Sequence, residues 1–157
     1  MTAPLEPTTF AGDGNPRVLV EATEWAYRET ITDVLTNEGY DVASCGGPEG
    51  GDARCALFVE GGCGTCERAD VVVHTLRHHD PRNREVLLAL RRRYPDTPLV
   101  VEVPGPRAVS YPTDFPGCYL LPVPVTMDAL KDTVRTALAD REQPESAHEG
   151  SSADQSV

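Results

Sequence analysis

Short apolar runs alternate with longer stretches whose apolar residues recur every three or four positions, and this alternation limits the fold more than any other feature of the chain. Val18-Leu19-Val20, Tyr40 to Cys45, Ala69 to His74, Pro98 to Val103 and Cys118 to Leu121 read as five strands. Continuous apolar runs of this kind belong to strands covered on both faces. After the first of them, Tyr27, Ile31, Val34 and Leu35 keep helical spacing until Gly39, a C-cap residue, which predicts a helix over about residues 24–38. Ala56 to Val59 reads as a brief helix. Asp80 and Pro81 suit the N-cap and first turn of a further helix with Val86, Leu87, Leu90 and Tyr94 on one face. Thr126 caps a last helix whose inner face carries Leu130, Val134 and Leu138. Between the last two strands, Pro104, Pro106, Pro112 and Pro116 forbid a regular helix, so a loop is expected there. Strands and helices in alternation predict an α/β fold with a doubly wound, five-stranded parallel sheet.

A chain of 157 residues suffices for one well-buried core and not for two ordinary domains. Residues 1–16 are rich in proline and glycine, show no apolar period and lack the basic start and apolar run of a signal peptide, so they are expected to be a disordered lead-in to a domain over 17–140. Residues 141–157 are polar and acidic, a composition that cannot offset its ordering entropy by burial, and are expected to be a disordered tail. No stretch approaches the ~20 apolar residues of a membrane helix, and a cytoplasmic protein is the reading that follows. The formal charge of −11, from 25 acidic and 14 basic residues, argues against nucleic acid as a partner. The one dense basic run, Arg91-Arg92-Arg93, ends a predicted helix, where cations complement the helix dipole. Thirteen arginines against a single lysine, Lys131, suggest a GC-rich bacterial genome.

The ordered set of segments, with "NEGYDV" after the first helix, "YPDTPLVV" leading into the fourth strand and "YLLPVPVTMDAL" at the close, resembles the receiver domain of two-component response regulators over about residues 17–139. The resemblance implies the receiver/flavodoxin-like strand order 2-1-3-4-5, with the functional edge at the C-terminal ends of the strands. It also implies an acidic pair after strand one to hold magnesium, an aspartate ending strand three to take a phosphoryl group, a threonine or serine ending strand four, and a lysine followed by proline after strand five. Aligned on Arg28 and Gly39, the acidic pair falls on Ala22 and Thr23, with Glu21 and Glu24 to either side. The phosphoacceptor falls on Thr75, or on His74 if the register slips by one. The switch hydroxyl falls near Val103 and the lysine on Val123 or Pro122, and the matching step Val123-Pro124 is expected to be cis. Magnesium requires hard oxygen ligands, which Ala22 cannot supply, and neither Thr75 nor His74 can form the acyl phosphate. A pseudo-receiver follows, one that keeps the scaffold without phosphoryl transfer and acts by contact with a protein partner in signalling or regulation.

What the chain adds is cysteine. "SCGGPEGGDARCALFVEGGCGTCERAD" carries Cys45, Cys55, Cys63 and Cys66 in a glycine-rich insertion at about 45–68. Four thiolates, two of them as Cys-x-x-Cys, have the number and softness for tetrahedral zinc or an iron–sulfur cluster. Nine residues separate the first pair, however, where zinc fingers use two to four. Cys45 ought also to end strand two at the top of the sheet, while Cys63 and Cys66 lie just before strand three enters from the bottom. Ordinary reduced cysteines and disulfides stay open beside the metal, the last disfavoured without a signal peptide. A metal- or redox-sensing protein built on this loop is therefore the alternative function. "CGTC" on its own invites thioredoxin-like chemistry, which wants its first cysteine at a helix N-terminus, whereas Glu67-Arg68 leads almost at once into Val71-Val72-Val73. His74, His78, His79 and Asp80 have residue types for a metal at the strand tops, although Asp80 is better explained as a helix cap. Cys118 reads as core.

Overall fold

A computed structural model describes residues 8–48, 55–58, 62–104 and 118–142. Strands β1 (Arg17–Glu21), β2 (Asp41–Cys45), β3 (Val71–His74), β4 (Leu99–Pro104) and β5 (Tyr119–Val123) form one sheet in the order β2-β1-β3-β4-β5. Every neighbouring pair is parallel. The parallel five-stranded sheet is what the alternation of segments predicts, and its order is the one the resemblance implies. The helices are α1 (Trp25–Asn37), α2 (Gly64–Arg68), α3 (Pro81–Arg93) and α4 (Met127–Glu142), with a single 3-10 turn at Ala56–Phe58. The loop expected to replace a helix between β4 and β5 lies outside the described residues, as does the acidic tail beyond residue 142.

Alternation along each strand sends successive side chains to opposite faces and so divides the core in two. On one face, Val18, Val20, Val71, Val73 and Val100 pack against Ile31 and Leu35 of α1 and Leu130 and Val134 of α4. On the other, Leu19, Ala43, Val72 and Val101 meet Leu57, Cys63 and Cys66 and the Val86, Leu87 and Leu90 stripe of α3. The caps form as their residue types predict: the Asp80 carboxylate accepts from the Arg82 N–H (2.9 Å) and the Thr126 hydroxyl from the Ala129 N–H (3.1 Å). Gly39 ends α1 at φ +95°, a left-handed conformation that a side chain would strain.

Two segments differ from expectation. Residues 8–16 are not a loose lead-in. The Thr8 N–H donates to the Ser44 carbonyl (3.0 Å) and the Thr8 hydroxyl accepts from the Ser44 N–H (2.8 Å). The Asp41 carboxylate accepts from the N–H groups of Ala11 and Gly12, each at 2.8 Å, and Phe10 packs against the α3-side core. The Asp41 carboxylate and the Ser44 backbone of β2 thus tie down a segment whose own composition shows no period. The second difference is α2, which occupies the stretch expected to run straight into β3. Five residues are too few to display a helical period.

Candidate functional site

The C-terminal ends of β1 and β3 bring Glu21 and His74 opposite one another in the sheet register. Each follows three aliphatic residues, so each is drawn into the core by the strand that carries it. Both are buried, at 2% and 0% exposure. The carboxylate of Glu21 meets the His74 ring at Nδ1 (2.8 Å), and His74 Nε2 lies 2.9 Å from Nε2 of His78 in the loop beyond β3. An ionised carboxylate can only accept, so with Glu21 ionised the Nδ1 atom carries a proton and a second proton is shared between the two Nε2 atoms. Burial, then the charge on His74 and on Arg84, push the His78 pKa down to about 4. The arrangement is a relay of three groups from the floor of the sheet toward its edge.

The positions where the resemblance placed chemistry are filled otherwise. Ala22 is fully buried, its N–H donating to the Cys45 carbonyl (3.1 Å) and its carbonyl accepting from Arg28 Nη1 (2.7 Å). Thr23 is exposed beside it. Thr75 directs its hydroxyl back into the sheet, donating to the Glu21 carbonyl (2.7 Å), while its N–H donates to the same oxygen (2.9 Å). Val103 is buried and Val123 is 40% exposed, and the Val123–Pro124 bond is cis as expected. On the other side of the sheet edge the Tyr27 hydroxyl donates to Glu102 (2.5 Å). Burial raises the pKa of both groups. The hydrogen bond raises Tyr27 further and offsets part of the rise at Glu102.

Among the described residues, which include Cys45, Cys55, Cys63 and Cys66, no three His, Cys, Asp or Glu side chains stand together in a way that could hold a metal ion. The sulfurs have separate partners instead. Cys45 is held by a hydrogen bond from the Gly47 backbone and Cys55 by one from Leu57, while Cys63 and Cys66 hydrogen-bond to each other. The expected separation of Cys45 from the later pair is also corrected. Cys45, Cys63 and Glu21 lie near enough for their charges to act on one another. The histidine cluster divides: His74 and His78 join Glu21, Asp80 caps α3, and His79 is exposed. All five cysteines are free, and Cys118 packs against the α3-side core with Arg91 Nη1 donating to its sulfur (3.4 Å).

Reading the residues alone missed the pairing of Glu21 with His74. The available signal was positional: both end an apolar triplet, Val18 to Val20 and Val71 to Val73, in strands that become neighbours.

The fold is that of a receiver domain. A response regulator receiver domain from Clostridium thermocellum superposes with a TM-score of 0.63 at 18% identity, over 81% of this chain and 97% of that one. A response regulator receiver protein from Sinorhizobium medicae gives 0.62 at 20% identity, over 82% and 98%. A chemotaxis protein from Vibrio cholerae gives 0.61 at 18% identity, over 80% and 100%. No protein-family model and no curated protein matches the sequence. No helix among the described residues is long and apolar enough to cross a membrane.

Proposed function

We propose that this chain is a pseudo-receiver, a domain that works in signalling or regulation by contact with a protein partner and without phosphoryl transfer. The observation that carries the reading is Thr75. At the position matching the phosphoacceptor stands a hydroxyl that is 8% exposed and committed to the Glu21 carbonyl. A threonine cannot form the acyl phosphate, and this one does not present its oxygen to solvent. Magnesium would need an anionic oxygen cluster at the ends of β1 and β3. Ala22 and Thr23 offer no carboxylate there, and the Glu21 carboxylate is engaged by His74. The receiver scaffold supports a signalling role by likeness of fold, and the site supports one that a phosphate donor does not switch.

The test is incubation of the purified chain with acetyl phosphate and magnesium, followed by intact mass measurement. No mass change is expected, and a stoichiometric gain of one acid-labile phosphoryl group would overturn the reading.

A further inference from the structure

We propose that Cys63 and Cys66 are a reversible dithiol–disulfide couple that closes by exchange with a low-molecular-weight disulfide. The inference does not depend on the proposed function. It starts from geometry. The two residues are three apart on one helical turn, the spacing at which side chains are neighbours, and their sulfurs already share a hydrogen bond. A disulfide replaces that contact without moving either residue to a new element.

The backbone around the pair is held in place. The Tyr94 hydroxyl, on the residue that ends α3, donates to the Cys63 carbonyl (3.2 Å), which also accepts from the Glu67 N–H (3.0 Å). Gly62 enters at φ +71°, and a Cβ there would come within 2.7 Å of Arg93 and 2.8 Å of Tyr94. The turn therefore fits against α3 through a residue without a side chain. Cys45 and Cys55 influence the pair electrostatically, but each has its hydrogen bond from its own backbone neighbourhood.

The two sulfurs differ in character. The Cys66 thiol and the N–H groups of Cys66 and Thr65 all stabilise charge on Cys63, and despite its burial they bring its pKa down to about 6. The bond to Cys63, together with burial, pushes Cys66 up. Cys63 is also the more accessible, at 7% exposure against 3%. The step then balances. The Cys63 thiolate attacks one sulfur of the small disulfide, a mixed disulfide forms, and one thiol leaves after taking up a proton. Cys66 gives up its proton as its sulfur attacks that of Cys63, and the second thiol leaves. One protein disulfide and two small thiols result, so the protein dithiol is oxidised and the small disulfide reduced.

The experiment uses the full reduced chain, equilibrated at pH 7 in glutathione buffers of stepped thiol-to-disulfide ratio, quenched with acid and alkylated. Two of the five thiols are expected to disappear together along one transition, and peptide mapping should find Cys63 joined to Cys66. The Cys66→Ser variant should stop at one glutathionyl group on Cys63, and Cys63→Ser should acquire none on Cys66 on the same timescale. Five alkylatable thiols throughout the series, or a link from either cysteine to Cys45 or Cys55, would overturn the proposal. The wild-type titration decides the matter even where a variant fails to fold.

Discussion

The two faces of the sheet are built to different rules. Toward α1 and α4 the strands present Val18, Val20, Val71 and Val73 to Ile31, Leu35, Leu130 and Val134, an aliphatic layer that matches any doubly wound domain. Toward α2 and α3 the layer begins with Leu19 and Val72 and then, nearer the C-terminal edge, gives way to Glu21, His74, Cys63 and Cys66. One face is cohesive by shape. The other is cohesive at that edge by specific partners, and a group buried with one partner is sensitive in a way that a packed methyl is not. The difference separates a layer that depends on shape from an edge that depends on paired polar groups.

The largest expected effect tests the polar corner. Glu21→Ala strands His74 in the core and should cost about 3–5 kcal/mol in denaturant unfolding, because a buried polar partner is removed and not replaced. Changing both residues together, Glu21→Leu with His74→Leu, should recover most of that loss, as replacing a buried pair by apolar groups often does. Failure of the double change to recover would mean that the corner depends on its polarity for folding and not only for specificity. Next comes the aliphatic face, where Leu130→Ala should cost about 3 kcal/mol through lost burial and the cavity left behind. A smaller loss there than a conservative surface change gives would break the contrast between the faces.

The smallest of the three effects is read by pH. His78 has its pKa held at about 4, below the ordinary 6.5, so the unfolded chain binds a proton more readily than the folded one between those values. Stability from this group is fully present above pH 6.5 and is lost as pH falls from there toward 4. The loss is on the order of 2 kcal/mol once the partial exposure of the ring is discounted. Comparison of wild type with His78→Gln by thermal unfolding between pH 7 and 4 should show a shallower slope in the variant. Identical slopes would remove His78 from the relay.

The fold was readable because burial on both faces writes itself as short apolar runs, and because Asp80, Pro81, Thr126 and Gly39 mark helix ends with residue types that have one good use. Of the candidate site, the sequence showed which residues stand at the positions the resemblance marks, Ala22, Thr75 and Val123, but the bond from Glu21 to His74 spans 53 residues and exists only after the strands pair. Helix α2 was hidden for a different reason: a glycine-rich stretch with five helical residues carries too little pattern to distinguish it from a turn. "CGTC" does open a helix, since α2 begins at Gly64 with Cys63 at its N-cap, where the run from Glu67 to Val73 predicts none.

The clasp of residues 8–12 on β2 has a consequence for how copies of this chain meet. β2 is an outer strand, and the outer strand of a sheet offers unpaired donors and acceptors on which a strand from another molecule can align. Thr8 occupies both the N–H and the carbonyl of Ser44, and Ala11 and Gly12 engage the carboxylate at the strand's other end. The segment therefore covers part of the edge on which another strand would align. A chain beginning at Pro16 would keep its polar corner and lose only Phe10 from the rim of the core, yet expose on β2 a ready template for the first neighbouring strand to reach it.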